Sequence, residues 1–230
     1  MIKFFSMLGL VFGLLLTNPT QGPDCARAQE TAPDSGEELS PGPSRGMLGR
    51  AESLFKAKKY DEVIRLLSGP ASREPGNFPV NILLAKAQTE KCALLKSRGD
   101  KKYRSLVMSP YVTARRLNRI DPYRPEPYYI ASKCLLINDR LTRSIRSIKK
   151  ALYFAPGRPE YLIVLGDGCR RLAERGHDRF QIDRYISLAM DAYRKALTNA
   201  KNEELKADAE KRIEGLEKMK RDMEGTVYRY

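Results

Sequence analysis

Few side chains in this sequence combine into a set that could carry out catalysis. His177 is the only histidine among the 230 residues, and it lies in an arginine-rich segment without a cluster of cysteines or carboxylates at metal-ligand spacing. Gly166-Asp167-Gly168 follows a helical pattern instead of a strand, and no Gly-Lys-Ser/Thr element comes after it, so it is not a phosphate-binding loop. The serine-nucleophile pattern Gly-x-Ser-x-Gly does not occur. The sequence therefore predicts a protein that is not an enzyme and that holds no metal and no cofactor.

Basic and aromatic residues are the remaining candidates for chemistry, and they recur together in two segments. Lys96–Arg104 reads KSRGDKKYR and Arg170–Arg184 reads RRLAERGHDRFQIDR, so each combines several cations with one aromatic side chain. Arginine forms bidentate contacts with carboxylates and phosphates, which suits an acidic protein face or a polyanion. Longer helices with solvated ends would explain the same composition. The residues of this predicted basic edge are Lys101, Lys102, Tyr103, Arg104, Arg179, Phe180 and Arg184.

The charge of the whole chain points in the same direction. The formal net charge is +14, from 42 lysines and arginines against 28 aspartates and glutamates. Such a balance favours an anionic partner, which could be an acidic protein face, an anionic envelope polymer, a lipid surface or nucleic acid. Export of the chain would make nucleic acid the least expected of these. A well-solvated basic surface without a partner is the alternative.

The N-terminus has the composition of a secretory signal peptide. Lys3 provides a charged start, Phe4–Leu16 is an uncharged apolar run, and Ala26-Arg27-Ala28 offers a cleavage site. A membrane span needs about 17–25 apolar residues, more than this run contains. We therefore predict a signal peptide over 1–28, a periplasmic or secreted protein cleaved near Ala28, and no transmembrane span in the mature chain. The next stretch, 29–46, is rich in Pro, Gly, Ser and Glu and is predicted to be a flexible linker.

Three cysteines would remain after cleavage: Cys92, Cys134 and Cys169. An odd number in an oxidising compartment argues against a closed disulfide framework. All three lie among apolar neighbours in predicted helices, so we expect small buried core residues. If a pair forms, Cys134 with Cys169 is the one expected.

The elements that position these residues repeat along the chain. Asp121-Pro122 and Ala155-Pro156 are 34 positions apart, and each is followed ten residues later by a small residue, Ser132 or Gly166. The sequence Lys149–Leu152 (KKAL) returns at 194–197 as RKAL. Leu141, Ile148 and their neighbours show the i, i+3, i+4, i+7 spacing of a buried helical stripe. These features predict helical repeats, with insertions lengthening the second and fourth units.

This pattern resembles the tetratricopeptide repeat (TPR) family, in which units of about 34 residues each form two antiparallel helices. The resemblance implies an all-α fold, a TPR-like α-solenoid of about four helix pairs with a C-terminal capping helix. It predicts a repeat domain over 47–202 (units 46–79, 80–125, 126–159 and 160–202), a capping helix over 203–224 and a tail over 225–230. It also implies close helix packing at a set of small residues: Ala51, Ala85, Ser132, Gly166, Ala151 and Ala196.

In the family, the first helices of the pairs line a concave groove that binds protein segments. By register, the groove positions here mix apolar side chains, which could hold a partner helix, with cations that could orient carboxylates. The resemblance implies an exported, non-catalytic adaptor that binds one or more envelope proteins or peptide segments. The alternative is an envelope protein that holds an anionic polymer or lipid surface on the basic edge. The predicted groove residues are Ile82, Lys86, Tyr129, Lys133, Leu136, Ile163, Asp167 and Arg170.

Overall fold

The structure is a computed structural model that describes residues 43–227, with side chains for 46–223. Within this range the chain forms ten helices and no strand. The predicted signal peptide and most of the predicted linker lie outside the described residues. The helices are α1 (Pro43–Lys56), α2 (Tyr60–Arg73), α3 (Phe78–Ser97), α4 (Tyr103–Leu106), α5 (Met108–Ile120), α6 (Pro125–Ile137), α7 (Leu141–Phe154), α8 (Pro159–Ala173), α9 (Arg179–Asn199) and α10 (Glu203–Val227).

The helices pack in consecutive pairs: α1 with α2, α3 with α5, α6 with α7, and α8 with α9. Each second helix also packs on the first helix of the next pair, and α10 covers α9. The first helices α1, α3, α6 and α8 contact one another in series, and α8 also contacts the capping helix α10. No two second helices of the described range are in contact. The first helices therefore lie on the inner, concave side. The predicted all-α, TPR-like fold of four helix pairs with a C-terminal capping helix is confirmed.

Proline sets where three of the first helices begin. Helices α3, α6 and α8 each carry a proline in their first two positions. Proline suits these positions because its fixed φ matches the helix and its missing N–H would have no partner there. Pro43 stands at the same place in α1, which consequently begins inside the segment predicted as linker. The periodic X-Pro prolines of the sequence, Pro122 and Pro156, lie in the turns three residues before α6 and α8 begin.

Two helices continue through residues that often end a helix. Helix α2 passes through Pro70 and ends at Arg73. It can continue past Pro70 because proline removes only one backbone hydrogen bond of the helix. The Pro70 carbonyl still accepts a hydrogen bond from the Glu74 N–H at 3.0 Å. Helix α10 passes through Gly225 to Val227. Glycine lowers helix propensity by about 1 kcal/mol but does not by itself end a helix. The predicted tail over 225–230 is therefore helical at its start, and 228–230 lie outside the described residues.

Small residues lie where paired helices approach most closely, and all six predicted packing residues are buried. In the third pair the Ser132 hydroxyl lies 2.9 Å from both the carbonyl oxygen and the hydroxyl of Ser144, whose own hydroxyl donates to the Ser132 carbonyl at 2.9 Å. In the fourth pair a Cβ added at Gly166 would lie 2.6 Å from Cδ1 of Tyr193. Only small side chains fit such contacts.

The turns inside the first three pairs share one backbone conformation. Lys58, Gly99 and Asp139 each follow a first helix with a positive φ of 59°, 76° and 59°. In each turn the next residue's N–H reaches back to the helix, as when Lys59 donates to the Leu54 carbonyl at 3.0 Å. This is the left-handed cap that glycine adopts without strain.

Replacing Lys58 with glycine should therefore raise the free energy of unfolding by about 0.5–1 kcal/mol, because a residue with a Cβ is strained at that φ. The exposed Lys58–Glu204 ion pair that is lost contributes little. Urea denaturation measures the change. The control is Arg50→Gly at an exposed position inside α1, which should cost about 1 kcal/mol; a loss of stability in both variants would contradict the argument.

The three cysteines of the described range are free and buried, so the Cys134–Cys169 pair is not formed. Burial raises the pKa of the Cys134 thiol to about 12 and that of Cys169 to about 11. The Cys134 sulfur lies 3.5 Å from the Thr89 hydroxyl. Thiols held protonated in this way pack as small apolar groups and do not react as nucleophiles.

Candidate binding groove

A cavity of about 520 Å³ lies on the concave side, between the first helices α3, α6 and α8 and the capping helix α10. Five of the predicted groove residues line it: Tyr129, Lys133, Leu136, Ile163 and Asp167. The register taken from the sequence therefore brings side chains from α6 and α8 together at one site. The other walls come from α3 and α10.

Three predicted groove residues do not line this cavity. Ile82 packs against the core between α3, α5 and α6, and Arg170 is paired with Glu174 on its own helix. Lys86 is half-buried and makes no ion pair or hydrogen bond with any described residue. Burial lowers the pKa of its ammonium group, and the carboxylate of Glu126 opposes that effect.

Lys133 forms an ion pair inside the groove. Its ammonium contacts the Glu90 carboxylate and lies 5.7 Å from the centre of the Tyr129 ring. Burial alone would lower the pKa of Lys133, but Tyr129 and Glu90 together raise it above its ordinary value. Lys133 therefore stays charged at neutral pH and holds α6 to α3, and its charge is already balanced before any partner binds.

Asp167 is likewise engaged within the chain. It accepts a hydrogen bond from the Tyr193 hydroxyl at 2.8 Å and forms an ion pair with Arg212 of α10. Arg212 also contacts Asp208 at 3.1 Å. The capping helix thus supplies charged groups to one end of the groove, which a register limited to the first helices did not include.

The predicted apolar groove surface is smaller than the sequence suggested. Ile163 is only 6% exposed because it packs in a cluster with Ala209 and Leu205 of α10. The Tyr129 ring stacks on Tyr161 with the ring centres 4.7 Å apart. These side chains stabilise the helix stack, and the apolar groups that line the cavity include Leu136 and Leu205.

Asp139 joins three first-helix ends at the rim of the groove. Its carboxylate accepts a hydrogen bond from Lys96 at 3.1 Å, pairs with Arg171, and lies 3.3 Å from Arg175. Burial alone would raise the pKa of Asp139, but the hydrogen bond from Lys96 and the charges of Arg171 and Arg175 lower it. One left-handed turn residue thus connects the ends of α3, α6 and α8.

The Asp139 contacts should make the fold acid-sensitive. A carboxyl whose pKa is lowered by folding stabilises the protein above its ordinary pKa of about 4, and this contribution is lost as the pH falls through the lowered pKa. Asp139→Asn should therefore reduce stability at pH 7, and the difference from the native chain should vanish near pH 2. Thermal unfolding across that range tests this, with exposed Asp191→Asn as the control. A difference that is independent of pH would contradict it.

Glu160 is a groove residue that the sequence reasoning missed. It lies in the first turn of α8, and its Oε2 atom is buried without a hydrogen-bond partner in the part of the chain that the structure describes. The cavity is lined by Glu160 together with Tyr129, Lys133 and Asp167. Glu160 is three residues before Ile163 and therefore lies on the same face of α8. Extending the predicted groove positions of α8 by one turn toward its N-terminus would have included Glu160.

The basic edge is only partly as predicted. Tyr103 is buried at 9% exposure, in a core cluster with Cys92 and Val107, so it is not a surface aromatic. The reason is that the end of the segment Lys96–Arg104 joins the short helix α4, and this helix packs the Tyr103 ring into the core. Phe180 is 76% exposed, and Lys101, Lys102, Arg104, Arg179 and Arg184 are also exposed.

Within residues 46–223, His, Cys, Asp and Glu side chains do not form any group of three or more that could hold a metal ion. None of the helices that the structure describes is both long and apolar enough to cross a membrane.

No protein-family profile and no curated protein matches the sequence. Among solved structures, the chain is similar to a crystal structure of MamA, with 13% identity, coverage of 81% of this chain and 96% of that one, and a TM-score of 0.46. It is also similar to TTC0263, a thermophilic TPR protein in Thermus thermophilus, with 14% identity, coverage of 74% and 98%, and a TM-score of 0.46.

Proposed function

We propose that this protein is a non-catalytic adaptor that binds a segment of another protein in the concave groove. The observation that carries the proposal is Glu160, whose buried oxygen has no hydrogen-bond donor among residues 46–223. A buried carboxylate oxygen without a donor costs free energy, roughly 1–3 kcal/mol. A ligand that supplies an N–H group at this point removes that cost on binding.

The remaining groove chemistry favours a polypeptide ligand. Lys133 and Asp167 already have their charges matched by Glu90 and Arg212, so a strongly charged ligand would gain little from them. A peptide supplies backbone N–H groups for Glu160 and apolar side chains for Leu136 and Leu205. The cavity of about 520 Å³ accommodates a few side chains of such a segment.

The place of action belongs to the proposal as well. The signal-peptide pattern over 1–28 supports export, so the partner would be an envelope or secreted protein. The alternative is an anionic polymer or lipid surface held on the basic edge. It has less support than the sequence suggested, because Tyr103, one of the two aromatic residues of that edge, is buried. Its exposed cations still allow it, and it stays a prediction.

Site-specific photo-crosslinking tests the groove. A photoreactive amino acid in place of Leu136 in the cavity wall should give a discrete adduct with one protein in the native cell, whereas the same group at Val112, which is 59% exposed on α5, should not. Glu160→Gln should reduce the Leu136 adduct by about fivefold or more, since one charge-assisted hydrogen bond is lost. Equal adducts from both positions, or an adduct that is indifferent to Glu160, would contradict the proposal. Circular dichroism confirms that each variant is folded.

A further inference from the structure

A second cavity, of about 380 Å³, lies on the outer side of the helix stack, where α5 and α7 flank α6. It is separate from the groove, and its chemistry differs: every charged side chain that lines it is a cation. Two of its walls are second helices, which the sequence analysis did not treat as a binding surface. The residues that matter here are Arg115, Asn118, Arg119, Tyr128, Arg146 and Lys150.

The four cations of this cavity lack counter-charges within the described part of the chain. Among residues 46–223, no carboxylate lies within ion-pair distance of Arg115, Arg119, Arg146 or Lys150. Arg115 donates to the Tyr111 hydroxyl at 3.4 Å, and Lys150 lies 5.7 Å from the centre of the Tyr128 ring. The cations of the groove, in contrast, are paired. Four converging positive charges without a carboxylate form a place where an anion gains free energy on binding.

Asn118 adds a polar group in the same cavity. Its Oδ1 atom is buried and has no hydrogen-bond partner among the residues whose side chains are described. A buried acceptor without a donor is costly, so a ligand with a hydroxyl or amine beside its anionic group would be favoured.

An aromatic ledge continues from the cavity. Tyr128 stacks on Phe154 with the ring centres 6.0 Å apart, and Phe154 contacts Tyr123 and Tyr153 edge to face. Tyr123 is 76% exposed and Tyr153 is 82% exposed, so both rings are open to a ligand. Exposed rings beside a basic site offer stacking surfaces for a flat ring.

We propose that this cavity binds a small phosphorylated ligand that carries a flat ring, of the class of nucleoside diphosphates. The phosphates occupy the space between Arg115, Arg119, Arg146 and Lys150, because guanidinium groups match phosphate oxygens in bidentate contacts. A ligand hydroxyl donates to Asn118, and the ring lies on the aromatic ledge. A volume of about 380 Å³ is in the range of small-molecule sites.

Isothermal titration of the purified chain with ADP, at about 50 mM salt so that charge screening is limited, tests the proposal. One ADP should bind per chain, and Arg119→Gln and Arg146→Gln should each weaken binding about tenfold or more. The matched control is Arg143→Gln, an exposed cation of the same α7 that does not line the cavity, which should change affinity by less than about twofold. Glu160→Gln in the groove should have no effect, which separates this site from the proposed function.

A second titration tests the ledge. Tyr153→Ala should weaken ADP binding and leave the binding of inorganic pyrophosphate unchanged, since pyrophosphate has no ring to stack. Equal effects on both would overturn the ledge assignment. The absence of saturable binding, several ligands per chain, or equal weakening by Arg143→Gln would overturn the site and would indicate a diffuse polyanion surface instead.

Discussion

Replacing Gly166 with valine should lower the free energy of unfolding by about 3 kcal/mol, a large part of the roughly 5–15 kcal/mol that keeps an ordinary protein folded. The reason is the contact between α8 and α9. An added Cβ at Gly166 would lie 2.6 Å from Cδ1 of Tyr193, a distance that real contacts essentially never show. Tyr193 cannot move away easily, because it is fully buried and its hydroxyl is bonded to Asp167 at 2.8 Å.

The matched control is Gly215→Ala on the capping helix. Gly215 is exposed, and a Cβ there would meet nothing within 4 Å, so alanine should raise stability by about 0.5–1 kcal/mol through its better helix propensity. Urea denaturation of both variants measures the two changes. If Gly166→Val proved as stable as Gly215→Ala, the close approach of α8 and α9 would be wrong.

Replacing Glu90 with glutamine should cost about 2 kcal/mol, since it leaves the Lys133 ammonium partly buried without a full counter-charge. Lys133 and Glu90 have side-chain exposures of 19% and 27%, so water cannot replace the lost partner well. The pKa of Lys133 is raised above its ordinary value, so the group cannot escape the penalty by losing its proton at neutral pH. Thermal and urea unfolding at pH 7 measure the loss.

Two further variants identify the cause. Asp61→Asn breaks the Lys91–Asp61 pair, whose side chains are 36% and 74% exposed, and should cost less than about 0.5 kcal/mol. Combining Glu90→Leu with Lys133→Met removes both charges and should restore most of the stability, because a buried pair is often replaceable by apolar residues of similar volume. A double variant as unstable as Glu90→Gln would show that packing at these positions, and not the unpaired charge, causes the loss.

The same groove residues show how far sequence reasoning reached. The register predicted that Tyr129 and Lys133 of α6 would face Asp167 of α8, and they do line one cavity. It could not show that Lys133 forms an ion pair with Glu90. These two residues are 43 positions apart in the sequence, and they meet only because α3 packs against α6. It also missed Glu160, whose importance comes from a buried oxygen that no described residue supplies with a hydrogen-bond donor. The ion-pair partner of a charged residue can be identified only when the packing of the helices is known.

The sequence by itself determined the helix pairs of this protein, because its prolines, small residues and apolar stripes act within one or two turns of a helix. Pro125 and Pro159 begin α6 and α8, and Gly166 allows α9 to approach. Only the tertiary structure decided which charged groups are free. It buries Tyr103, places Arg212 of α10 against Asp167, and leaves Arg119 and Arg146 without a paired carboxylate among residues 46–223. Local propensity is encoded in neighbouring residues, whereas burial and charge pairing depend on groups that lie far apart in the chain.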